Sequence, residues 1–358
     1  MKNLLYGLCC LALAFPAQAQ RGELPLVRFE TSTYVCDTTP WKLVFQDDFE
    51  GDSLKAPWVR FMSWANMPGG DNDDWEEGRL GTPYNAILTD QNVVVSDGTV
   101  KLKMKKEPAT WTCATCGKPT HTTKYTASMI ALPYTRPFNS GRFEARIKMP
   151  TFKWAHTCFW LTFGSSVNEI DIAEAYGNSY NNTLWLNGGY PHTTYSLHTW
   201  PPKENIYGMV HENFTGYFPG QRWNDWLSGN HFQQEDFHTY TCEWDTAVVR
   251  FYLDGVLMSE QWKYHKTATY RKWWKPFVKS RRDEPSGCVL EQGEWDIMET
   301  FPYNNESLSS LRLSTGIDKE DASHKDGFLG EMEVDYVKIW QRHPEKAWPP
   351  IAQAGIKK

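Results

Sequence analysis

The sequence lacks any long basic run. Its 358 residues carry a net charge of −6, which argues against nucleic acid and anionic membrane surfaces as partners. Long hydrophobic runs are missing too, and the apolar stretch Leu4 to Phe15 is too short to span a bilayer comfortably. With Lys2 before it and Ala17-Gln18-Ala19 after it, that stretch reads as a signal peptide over residues 1–19 of a secreted or periplasmic protein. Cysteine is sparse. Cys9 and Cys10 fall inside the leader and lack the small residues expected before a lipidated cysteine. Beyond it stand Cys36, Cys113, Cys116, Cys158, Cys242 and Cys288, enough for disulfides in an exported chain whose connectivity the spacing leaves open. Cys113-x-x-Cys116 has no second ligand pair for zinc, since His121 alone does not supply it, and no βαβ context for redox chemistry. A loop disulfide or two idle thiols are the remaining readings. Sustained helical periodicity and internal repeats are also absent.

What is present is a series of short strand-like runs. They are Trp41 to Phe45, Val93 to Val95, Val100 to Met104, Gly141 to Lys148, Glu169 to Glu174, Thr239 to Trp244, Val248 to Leu253, Leu311 to Ser314 and Met332 to Trp340. Turn signals such as Ser96-Asp97-Gly98 and Asp254-Gly255 punctuate them. Many short strands without intervening helices predict an all-β sandwich or barrel, read as one domain over residues 25–345 with a tail at 346–358. The stretches from Gly188 to Gln233 and from Tyr264 to Gly293 read as long loops, where binding sites usually sit. Aromatics make up 15% of the chain, with 18 Trp. They serve either a β-rich core or a groove of flat platforms for the apolar faces of sugar rings.

The chemistry concentrates in Asn168-Glu169-Ile170-Asp171-Ile172-Ala173-Glu174-Ala175. Strand alternation puts Glu169 and Asp171 on one face, and Glu174, five positions after Glu169, on the other. A β-bulge near Ile172-Ala173 would return all three acids to one face. Crowded carboxylates repel, which spreads their proton affinities so that one stays protonated while another ionises. Glycosidic bond cleavage needs that division, with one carboxylate attacking the anomeric carbon and one acid protonating the leaving oxygen. A solvated acidic strand face or a cation site is the plainer alternative. The spacing recurs in Glu294-Trp295-Asp296-Ile297-Met298-Glu299, and spacing alone does not choose between the two.

Context does. Leu43 to Gly51, Ser140 to Lys148, Phe159-Trp160-Leu161, the acid strand, Phe237 to Trp244, Phe251 to Gly255 and Met332 to Trp340 run in the order of glycoside hydrolase family 16, which the chain resembles over most of its length. The resemblance implies a jelly-roll β-sandwich of two curved antiparallel sheets with an open concave cleft. It implies retaining cleavage within β-linked polysaccharides, a β-1,3/1,4-glucan or a red-algal galactan, with no required cofactor. By position Glu169 matches the nucleophile, Glu174 the general acid/base and Asp171 the helper between them, with His198 on a neighbouring strand. Trp154, Trp160, Trp185 and Trp200 flank the acids as candidates for sugar stacking, Trp160 also suiting the core. Arg142, Arg146 and Arg222 could meet sulfate groups, although Arg142 and Arg146 better suit sheet stabilisation. Some members hold a structural calcium through the aspartate of the closing strand, here Asp335; a strand aspartate satisfied by backbone donors is the alternative. The second triplet, Glu294, Asp296 and Glu299, reads as a loop feature. A non-catalytic carbohydrate-binding jelly roll and a transglycosylase are the competing classes.

Overall fold

Strand formation follows burial with a period of two. In Gly141–Lys148 the residues Gly141, Phe143, Ala145 and Ile147 are buried, while Arg142, Glu144 and Arg146 between them are partly exposed. The computed structural model describes residues 26–60, 85–111, 121–132, 140–163, 168–177, 191–199, 214–217, 234–271, 278–297 and 309–344. These residues contain no α-helix, and so none long and apolar enough to cross a membrane. Residues 1–19, read as a leader, Cys113, Cys116, Trp185, Trp200, Arg222, Glu299 and residues 346–358, read as a tail, lie outside the described residues.

Two sheets carry the fold. The larger runs in the order Val256–Trp262, Val248–Leu253, His238–Trp244, Gly141–Lys148, Gly327–Gln341, Thr99–Trp111, His121–Ala127 and Ala86–Leu88. The seven-stranded sheet runs Phe214–Tyr217, His192–Thr199, Asn168–Tyr176, Ala155–Phe163, Ser309–Ile317, Met129–Ala131 and Val59–Arg60. Pairing is antiparallel except between Ala86–Leu88 and His121–Ala127. The hairpins at Asp97-Gly98 and Asp254-Gly255 turn through positive φ at both positions (57° and 72°, 49° and 78°), as two-residue loops between right-twisted strands require.

The core is the space between the sheets. Phe143, Ile147, Phe251, Val334 and Ile339 of one meet Phe159, Leu161, Ile170, Leu197 and Leu313 of the other, all fully buried. Burying a side chain of this size contributes on the order of 1.5–3 kcal/mol. The result is a jelly-roll β-sandwich, as the resemblance implied.

The two long-loop readings need correction. His192–Thr199 and Phe214–Tyr217 are strands of the seven-stranded sheet. Tyr264–Arg271, Val278–Asp283 and Gly293–Ile297 form a separate four-stranded sheet with the N-terminal strand Leu26–Phe29. A disulfide between Cys36 and Cys288, 252 residues apart, closes this assembly beside the short pair Thr33–Tyr34 and Val289–Leu290. Glu294 and Asp296 therefore sit on a strand rather than in a loop, opposite Arg28 and Leu26.

Candidate active site

The acid strand Asn168–Tyr176 departs from regular pairing at one place. Toward Ala155–Phe163, Trp160 opposes Asp171 and Phe159 opposes Ala173; toward His192–Thr199, Ser196 opposes Asp171 and Thr194 opposes Glu174. One extra residue is therefore accommodated at Ile172-Ala173, where the sequence called for a bulge. Ile170, Ile172, Ala173 and Ala175 all enter the core. Glu169, Asp171, Glu174 and Tyr176 are left together on the opposite face.

Directly opposed residues of antiparallel strands share a face, so the registers define that surface. Thr162, Trp160, Cys158 and His156 lie beside Glu169, Asp171, Glu174 and Tyr176, and on the far side stand His198, Ser196, Thr194 and His192. Beyond Ala155–Phe163 come Ser310, Arg312, Ser314 and Gly316.

Asp171 and Glu174 meet different neighbours. Asp171 is 3% exposed; its Oδ2 lies 2.9 Å from His198 Nε2, and the Cys158 thiol donates to its Oδ1 at 3.6 Å. Burial pushes the Asp171 carboxyl up, with help from the Glu174 charge, against the opposing bond to His198. Glu174 Oε1 lies 2.9 Å from His156 Nε2. Burial also favours the neutral form of Glu174, but the bond to the His156 ring, that ring's charge and the Tyr176 hydroxyl outweigh it and hold the carboxyl below its ordinary value. Burial and the surrounding carboxylates push Cys158 and Tyr176 up, so both stay neutral. The site thus holds a buried acid and a partly buried one with proton affinities driven apart.

Ligating atoms of Glu169, Asp171 and His198 all lie within 4.8 Å of one another, the one group of metal-ligand type among the described residues. Two carboxylates and one imidazole do not by themselves distinguish a cation site from hydrolytic machinery. Among the described residues, Glu294 and Asp296 of the second triplet belong to no such group. Asp335 accepts a hydrogen bond from Arg146 at 2.6 Å. Arg142 bridges Glu144 and Glu243, each at 2.7 Å, so both arginines tie strands of the large sheet together.

Of the aromatic candidates, Trp160 is buried, donates its indole N–H to Ser314 Oγ at 3.0 Å and packs against the Arg312 guanidinium. Trp154 is half-buried at φ 65°, donates to Asp321 at 3.0 Å and has the Lys319 ammonium 5.2 Å from its ring centroid. His156, Cys158, Tyr176 and Asp318 were not singled out from the sequence as site residues. The signal that would have found three of them is the register, since His156 and Cys158 alternate on Ala155–Phe163 and Tyr176 follows Glu174 by two.

Comparison with known proteins agrees with this architecture. The chain is 22% identical over 306 residues to Glucan endo-1,3-beta-glucosidase A1 of Niallia circulans, covering 84% of this chain but 38% of that relative. It is 21% identical over 311 residues to a Beta-glucanase of Rhodothermus marinus, covering 84% of this chain and 85% of that one. The crystal structure of porphyranase B from Zobellia galactanivorans superposes with a TM-score of 0.53 at 16% identity, over 84% of this chain and 92% of that one. At these identities the structural likeness speaks for the fold. Residues 80–279, more than half of the chain, match the model of the Glycosyl hydrolases family 16, and the chain belongs to that family.

Proposed function

We propose that the protein is a secreted, retaining endo-glycoside hydrolase acting on a β-linked polysaccharide. The observation that carries this reading is the bulge at Ile172-Ala173, which puts Glu169, Asp171 and Glu174 on one face, with different histidines at Asp171 and Glu174. A binding protein gains nothing from crowding three acids, one of them buried.

In this reading Glu169 attacks the anomeric carbon and forms a glycosyl ester, while Glu174 gives its proton to the departing oxygen. Glu174 then takes a proton from water, which cleaves the ester with net retention. Asp171, whose protonated form burial favours and which His198 orients, donates a hydrogen bond to Glu169 and steadies its charge. The Cys36–Cys288 disulfide suits an oxidising compartment outside the cytoplasm, in keeping with the leader. The names of the relatives, an endo-1,3-beta-glucosidase, a beta-glucanase and a porphyranase, direct attention to β-glucans and porphyran as substrates.

A panel of laminarin, lichenan, agarose, porphyran and carrageenan, scored for new reducing ends, tests the activity. Release from at least one is expected, with loss in Glu169→Gln and the first-formed anomer retaining β configuration by NMR. Silence on the whole panel, or a fully active Glu169→Gln, would overturn the reading, and the second outcome would promote Glu299. Product analysis separates hydrolysis from transglycosylation.

A further inference from the structure

We propose that His156 is a positioning residue that holds Glu174 by one carboxylate oxygen and sets its proton affinity, with Asp318 behind it; this rests on the role of Glu174 as acid/base proposed above.

The geometry is built and buried. His156 is 8% exposed, with Nε2 at 2.9 Å from Glu174 Oε1 and Nδ1 at 3.9 Å from Asp318 Oδ1. Asp318 is fixed in turn by its backbone N–H, which donates to the Trp154 carbonyl at 3.0 Å. The imidazole plane is set by stacking. Tyr176 stands between His156 and His192 on three adjacent strands, with ring centroids 5.0 Å apart on each side and interplanar angles of 25° and 21°. The Tyr176 hydroxyl also bonds Glu174, so the stack that orients His156 touches the same carboxyl.

The charged and titratable groups facing Glu174 divide by sign. Asp171 on its own strand and Asp318 favour its proton, whereas His156 and, more remotely, His198 favour its loss. Cys158 and Tyr176 stay neutral. His156 makes the direct contact, so it decides the balance. The first half-reaction starts from protonated Glu174 and the second from its carboxylate. A histidine that stabilises the carboxylate favours the second half and confines the first to lower pH. The alkaline limb of kcat/KM then lies lower than it would without His156.

The test is the pH profile of kcat/KM on the polysaccharide that the wild type cleaves. His156→Leu removes the donor and its charge, so Glu174 should hold its proton longer and the alkaline limb should rise by about 1 pH unit, with the acid limb in place. His156→Gln keeps a neutral donor and should move the limb less. On a glycosyl fluoride, whose leaving group needs little protonation, the three proteins should converge. Equal loss at every pH with an unmoved limb would make His156 merely structural and overturn the inference. A second measurement needs no substitution at His156. NMR titration of the wild type and of Glu174→Gln, both with His156 intact, should show one imidazole whose pKa is about 1 unit lower in the variant; no such imidazole would also overturn the inference. An active wild type with an unmoved limb defeats this inference alone, whereas a wild type inactive on every polysaccharide defeats the functional reading instead.

Discussion

Replacing Gly177 by alanine should damage catalysis from a position that carries no chemistry. Gly177 ends the acid strand, three residues after Glu174 and one after Tyr176, and its N–H donates to the Ala155 carbonyl at 2.8 Å. A Cβ there would overlap the Phe152 carbonyl oxygen, with the Phe152 carbonyl carbon at 2.9 Å and the Ala155 Cβ at 3.1 Å. Because the obstacle is backbone, no side-chain rotation relieves it. The end of the strand must retreat by about 1 Å, a misplacement that costs on the order of a hundredfold in rate when it reaches reacting groups. The overpacking adds about 1–3 kcal/mol of destabilisation. Gly330→Ala is the matched control. Its Cβ would press on the ring of the same Phe152, at 2.8 Å and 2.9 Å, rather than on its carbonyl. That variant should lose stability without the large fall in kcat. The assay is kcat/KM on the cleaved polysaccharide beside Tm for both variants. Wild-type kcat/KM and Tm in Gly177→Ala would refute the claim that this contact sets the position of Glu174 and Tyr176.

Two further outcomes follow from the site and its frame. Reducing Cys36–Cys288 opens a loop of 252 residues in sequence separation, and the chain-entropy model assigns such a closure roughly 5 kcal/mol; calorimetry with and without reductant should show a clear fall in Tm, and an unchanged Tm would count against the model. Asp171→Asn should stabilise the protein increasingly as pH rises. Burial raises the folded-state pKa of Asp171 above its unfolded value, so its contribution is intact below the unfolded value and is lost as pH climbs through the folded one. The Tm difference between variant and wild type should therefore be smallest below the unfolded value and grow as pH rises above it; a difference that shrinks with rising pH would reverse the sign of the reasoning.

The sequence was most legible where one face of a strand is apolar and the other polar. Gly141–Lys148 and Val248–Leu253 were read with the bounds the structure shows, because each alternates between core and partly exposed residues. Ala155–Phe163 was not read as a strand. His156, Cys158 and Trp160 on its acid face are nearly as buried as Phe159 and Leu161 on its core face, so the contrast that marks a strand is weak there. With that strand went His156 and Cys158. The four-stranded sheet escaped for another reason: Leu26–Phe29 pairs with Gly293–Ile297, more than 260 residues away, and no local window records such a partner. The acids themselves were legible through an inconsistency, since a strand that put Glu174 on the wrong face called for the bulge the structure has.

That bulge amounts to a parity bit in the backbone. Count an even number of steps from Asp171 on a regular strand and the side chain returns to the same side; here the step to Glu174 is odd, and the irregularity at Ile172-Ala173 corrects it. Shortening the segment by one residue would reach the same face without any irregularity, whereas ironing out the distortion at constant length would turn the acid inward, among the apolar side chains. The count of residues between two acids and the regularity of the strand are therefore not independent traits in such a site. Only matched combinations keep both carboxyls on the same side, and a change in either alone is a frame error written in three dimensions.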